Sequence, residues 1–179
     1  MLKLFYILII TLMATPVFSQ NLNSVPTKSE ITFDIDTRFG PAKGVFKKNS
    51  ISGVDFASKK AKVEIDVESI DTGIGLRDKH LKNEDFFDVS NHPKAYFEVL
   101  SLKETAANSF ILSGKLTIKK IEKVYEIPVK SVETDENIQY SGSVDINRKD
   151  FQINYDSVIN PIQDIAKVKF SVFFEKKGK

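Results

Sequence analysis

Residues 76–97 read LRDKHLKNEDFFDVSNHPKAYF and hold both histidines of the chain, His80 and His92. The same stretch carries Arg77, the carboxylates Asp78, Glu84, Asp85 and Asp88, and the pair Phe86 and Phe87. Two carboxylates such as Glu84 and Asp88 could share acid–base work. No nucleophile–base set accompanies them, so no catalytic residue is assigned. The two histidines are too far apart in sequence for a short metal-ligand spacing, and no metal site is assigned either. Arg77 can join the neighbouring acids in a structural ion-pair cluster or meet a charged headgroup. His80 can be a hydrogen-bonded core residue or a ligand contact. Phe86 and Phe87 can plug a core or line a site. His92 reads as a turn residue.

These side chains sit between strands. Val63, Ile65 and Val67 alternate with Glu64, Asp66 and Glu68 before the segment. Phe33 and Ile35 share a face with Ile31, and Leu112, Leu116 and Ile118 with Phe110. Val144 and Ile146 follow, then Val168, Phe170, Val172 and Phe174. A period of two marks strands with one buried and one wet face, as in antiparallel sheets. Turn chemistry falls at 39–44, 49–53 and 106–109. Within the segment, Leu76 and His80 are one helical turn apart, as are Arg77 and Leu81, which predicts a short helix. Asn83 can cap a second turn, and Pro93 ends the connection because it disfavours helix before it. Roughly seven to nine strands of this kind close into a barrel or stack as a sandwich. A barrel of about eight strands holds either packed side chains or one small ligand.

Composition narrows the function. The chain has 14 Phe, 5 Tyr and no Trp, so its aromatic area is mostly free of polar tips. That suits either an apolar cavity or a plain core. The net charge is +2, which gives no electrostatic case for nucleic acid. The basic tail 175–179 allows a weak contact with a membrane surface. There is no Cys, hence no disulfide or thiol chemistry. The N-terminus reads as a signal peptide, residues 1–19. Lys3 precedes an apolar run from Leu4 to Ala14, too short to span a bilayer, and Val17 and Ser19 suit cleavage before Gln20. No integral membrane segment is expected after cleavage. Residues 20–28 read as a loose start and 29–179 as one domain.

The run Ser69-Ile70-Asp71-Thr72, then Arg77, Asp78, His80 and Leu81, then Asp85-Phe86-Phe87-Asp88, Pro93 and Phe97 resembles the YceI-like family of exported polyisoprenoid-binding proteins. SGKLTIKKIEKVYEIPV and INRKDFQI downstream resemble that family's hairpin and a late strand. The resemblance covers roughly residues 29–175. Asp36, Thr37 and Arg38 stand where the family often has a His, and Lys120 where it usually has Gly.

The resemblance implies a mainly β fold, an antiparallel lipocalin-like barrel of about eight strands with a short helical crossover. It implies a polyisoprenoid or isoprenoid-quinone chain held in the interior by a periplasmic or secreted protein, for storage or transport. An enzyme acting on an isoprenoid or other apolar substrate in the same cavity is the alternative. No cofactor is called for beyond that lipid or quinone, and a homodimer is compatible. The expected apolar lining is Phe33, Ile35, Val63, Ile65, Val67, Phe86, Phe87, Leu112, Leu116, Ile118, Val144, Ile146, Phe170 and Val172. Arg77 and His80 are expected at a polar mouth. Each buried methylene contributes about 0.8 kcal/mol, so burial alone can hold a long chain.

Overall fold

Ten strands, one α-helix and two 3₁₀ turns follow one another along residues 26–177, which the structure, a computed structural model, describes. The signal peptide and its cleavage site before Gln20 lie outside the described residues. The strands are β1 (Lys28–Thr37), β2 (Ala42–Phe46), β3 (Asn49–Asp55), β4 (Lys60–Asp66), β5 (Ile70–Asp71), β6 (Lys94–Ala106), β7 (Ser109–Ile118), β8 (Ile121–Glu133), β9 (Asn137–Asn147) and β10 (Ile162–Glu175). The helix α1 spans Gly75–Leu81.

All ten strands form one antiparallel sheet in the order β3-β4-β6-β7-β8-β9-β10-β1-β2-β5. Only Lys47 and Lys48 separate β2 from β3, which lie near the two ends of that order. The sheet is therefore curled, and β3 comes back beside β1, where the Ser29 hydroxyl donates to Asn49 Oδ1. Merging the bent β2–β3 wall and setting aside the two-residue β5 leaves about eight walls, the size at which a barrel interior is just filled or holds one ligand. The count of ten instead of eight comes from β5 and from that bend. The turn expected at 49–53 is also corrected by it, because Ile51 alternates with Ser50 and Ser52 inside β3. The chain reverses later, past Gly53, whose φ of +60° suits glycine.

The register defines two ends. Lys94 opposes Asp66 and Ala61 opposes Val99, so residues 67–93 cross from β4 to β6 at one end. The β7–β8 turn lies at that end too, since Tyr96 pairs with Thr117 and Ile118 with Ile121. Its two turn residues, Lys119 and Lys120, both have positive φ, the geometry of a two-residue hairpin that glycine satisfies most cheaply. The β3–β4 and β6–β7 turns lie at the other end.

The crossover end is packed solid. Phe86, Leu116, Ile146, Phe151 and Ile153 form one buried cluster, and Ile31, Ile65, Val67, Val89 and Ala95 another. Phe87 packs against both. Arg148 is buried there. It donates to Ile153 O (2.7 Å), Gln163 O (3.1 Å) and Asp164 Oδ1 (3.0 Å), tying together the neck of the 154–162 loop. Lys119 Nζ donates to the Phe86 and Gln152 carbonyls, each at 3.2 Å, and holds the crossover to the β7–β8 turn. Among the described residues no helix is long and apolar enough to cross a membrane.

Candidate functional site

Above that floor the barrel encloses a cavity of about 620 Å³, within the size range of small-molecule sites. Alternation places its wall. Ala61, Val63 and Ile65 come from β4, and Leu112 and Leu116 from β7. Ile127 and Val129 come from β8, Val144 and Ile146 from β9, and Val168, Phe170, Val172 and Phe174 from β10. Two irregularities extend the wall. The register shifts between Val99 and Ser101, so Leu102 instead of Ser101 follows Val99 inward. A second shift between Ser52 and Asp55 brings Val54 in after Ile51.

The opening lies at the hairpin end. Asp55, Ala57, Lys59, Lys60 and Glu104 border it, with half-exposed Phe56 among them. Among the described residues only β7 pairs with β6 beyond Val99, because the β3–β4 hairpin turns away before reaching it. Lys60 Nζ bridges part of that gap, donating to Leu100 O at 2.6 Å. The Ser58 hydroxyl and the Ser58 and Ala57 amides hold the Asp55 carboxyl below its usual range. Two tyrosines complete the wall. Burial pushes both phenols up, helped by Asp150 at Tyr125 and by Glu133 at Tyr140. The Tyr125 hydroxyl is buried and has no hydrogen-bond partner among the described residues.

Eight of the expected lining residues stand on this wall: Val63, Ile65, Leu112, Leu116, Val144, Ile146, Phe170 and Val172. The other six do not. Phe33 packs on Phe46 with ring centroids 5.6 Å apart, and Phe46 meets Phe87 at 6.1 Å. Ile35 lies further along β1, beyond the cavity. Val67 has left β4 for a 3₁₀ turn and is buried in the floor. Phe86, Phe87 and Ile118 belong to the floor as well. All six share the inward face or the plug, but alternation does not report depth along the barrel axis.

Arg77 and His80, expected at the mouth, are at the opposite, closed end. The crossover must join β4 to β6 where those strands meet the floor, so its polar groups cannot reach the hairpin end. Arg77 donates to Thr72 Oγ1 (2.8 Å) and Thr72 O (2.9 Å) instead of joining an acidic cluster. Asp78 accepts from the Thr72 amide at 2.8 Å. His80 Nε2 lies 2.9 Å from Asp85 Oδ2, and its ring packs edge-on against Phe86 and Tyr155. Among the described residues no group of three His, Cys, Asp or Glu is placed to hold a metal ion.

The sequence pattern had no hold on several wall residues. Phe97 and Val99 follow Pro93 without a clean polar alternation, and Pro128 interrupts the pattern of Ile127 and Val129. Bulges hide Val54 and Leu102.

The family model for the YceI-like domain matches residues 23–174. The chain belongs to the YceI-like family. A UPF0312 protein of Ectopseudomonas mendocina is 27% identical over 140 residues, covering 75% of this chain and 72% of the relative. Against several other UPF0312 relatives the match spans 55% of their length. Among solved structures, BcnA of Burkholderia cenocepacia superposes with a TM-score of 0.73 at 26% identity, covering 81% of this chain and 95% of that one. A polyisoprenoid binding domain from Saccharophagus degradans gives 0.68 at 17% identity, covering 88% and 99%, and shows the likeness of fold.

Proposed function

We propose that this YceI-like barrel is a binding protein for a single-chain isoprenoid lipid, a polyisoprenoid or an isoprenoid quinone. The observation that carries the reading is the cavity, about 620 Å³ within a wall of mainly aliphatic and aromatic side chains that is open at one end. At roughly 30 Å³ per heavy atom, the share of a water molecule in the liquid, that volume takes about 20 carbon atoms. Their burial is worth about 0.8 kcal/mol per methylene before the entropy of ordering is subtracted. The polar end of the guest then lies among Asp55, Lys59, Lys60 and Glu104, where water also reaches. The family resemblance and a structural neighbour named for polyisoprenoid binding support the lipid class. The reading includes export, cleavage before Gln20, and a role in storing or carrying the lipid in the periplasm or outside the cell.

Denaturing extraction of the purified protein, followed by mass spectrometry, tests this. The expected result is a chemically unchanged isoprenoid in near-stoichiometric amount. Recovery of no lipid, together with failure of the delipidated protein to take up a prenol, would refute it. N-terminal mass mapping of exported protein tests the cleavage site, and a mature chain that keeps Leu4 to Ala14 would overturn that part.

A further inference from the structure

Three glycines on the inward face of the barrel each lie under a phenylalanine ring of a neighbouring strand. A Cβ added to Gly44 would overlap Phe33, one added to Gly114 would overlap Phe97, and one added to Gly142 would overlap Phe170. Only two of these rings, Phe97 and Phe170, border the cavity. At Gly142 the added carbon would also press on the Pro128 carbonyl oxygen, so a substitution there moves backbone. At Gly114 the three nearest atoms all belong to the Phe97 ring. Gly114 pairs with Val99 and Phe97 with Leu116, so the ring leans diagonally across to fill the glycine's missing side chain.

We propose that Gly114 is a specificity-determining position, which recesses the Phe97 ring into the wall and thereby sets how long an apolar chain the cavity takes. The inference rests on the lipid-binding reading and deepens it. Any side chain at Gly114 must push the Phe97 ring away. The ring's open side is the cavity, because strands back the other. A displaced ring therefore consumes room for the guest. Packed interiors forgive little, so a methyl-sized intrusion is felt along the chain. Phe97→Ala acts oppositely by adding room beside Leu116 and Val63.

The test is competition loading of delipidated full-length protein with farnesol, geranylgeraniol and solanesol, read by native mass spectrometry. Gly114→Ala is expected to shift retention from the longer to the shorter prenols by roughly tenfold or more, the discrimination a pocket draws from about one methylene. Phe97→Ala should shift it the other way. Gly114→Ala combined with Phe97→Leu should return the wild-type ratio. Gly44→Ala, which would displace Phe33, a ring that does not border the cavity, should lower the melting temperature and leave the ratio alone. If folded Gly114→Ala keeps the wild-type ratio while wild type loads prenol, the inference is overturned and the lipid reading stands. Should Gly114→Ala fail to fold, an unchanged ratio in Phe97→Ala overturns the inference equally. If wild type loads none of the three, the lipid reading falls and takes this inference with it.

Discussion

At the closed end of the barrel Phe151 is 0% exposed and Val67 2%, while at the open end Phe56 stands 37% exposed. Both ends are built from the same alternating strands. The difference lies in what the connections carry. The crossover and the 148–161 segment deliver Phe86, Phe87, Phe151 and Ile153 into the barrel, and Arg148 and Lys119 supply donors for the carbonyls those turns bring with them. The hairpins at the other end carry short turns, and the large side chain of the β3–β4 turn, Phe56, packs on Phe174 at the rim and leaves the space between the walls open. An apolar alternating strand builds a wall; only a plug from a connection decides whether that wall encloses a core or a cavity.

Truncating one large side chain at each end separates packed floor from cavity wall. Phe151→Ala should cost about 3–5 kcal/mol, because it opens a new void in a fully packed floor. Leu112→Ala, on the cavity wall, should cost less than the roughly 2–5 kcal/mol of a buried leucine, since part of its surroundings is already empty. Its effect should appear in lipid retention. Chemical denaturation of both variants, with lipid extracted from each, gives the comparison. Equal losses would mean that the upper half is a core like the lower one.

Next in size is Arg148→Met. It leaves the Ile153 and Gln163 carbonyls without their guanidinium donor, at about 1–3 kcal/mol for an unsatisfied buried group. The neck of the 154–162 loop is then untied, so limited proteolysis should cut between Asn154 and Pro161 earlier than in wild type. Unchanged cleavage would show that Arg38, whose amide donates to Pro161 O at 3.2 Å, suffices to hold the loop.

Arg77→Ala and His80→Ala should do less. Each loses local hydrogen bonds, to Thr72 and Asp85 respectively, worth about 0.5–1.5 kcal/mol. Neither should change which lipid co-purifies, because neither borders the cavity. A changed lipid complement with unchanged stability would instead put a headgroup at the closed end.

Strand existence and facing were legible in the sequence because side-chain period two is a local property. Val63, Ile65, Val144 and Ile146 needed no tertiary information. Depth was not legible. Phe33 and Phe170 look alike in sequence, each inward and each lying over a cross-strand glycine, yet only Phe170 reaches the cavity. Nor was the choice of end, since which end a connection closes depends on pairing register. The motif around Arg77 and His80 marked the connection correctly as unusual. Its chemistry turns inward: Arg77, Asp78 and Thr72 satisfy one another and brace the short helix α1, which lacks a side-chain cap at Ile74.

Acid should perturb the fold only slightly. Lys149, with Arg148, holds the Asp164 carboxyl below its ordinary value of 3.8, and Lys47 does the same for Asp71 at the β2–β5 edge. A carboxyl whose pKa is lower folded than unfolded stabilises the fold above its unfolded value, and that contribution is lost as pH falls through the lowered one. The closed end, where both pairs lie, should therefore loosen first below about pH 4. Solvent screens these exposed pairs, so the shift in melting temperature is expected to be modest. Asp164→Asn keeps an acceptor for Arg148 but has no proton to gain. Its melting temperature should lie slightly below wild type at neutral pH, and the two should converge as the pH approaches about 2. Parallel curves across that range would show that Asp164 contributes through its hydrogen bond alone and that its charge does not stabilise the loop neck.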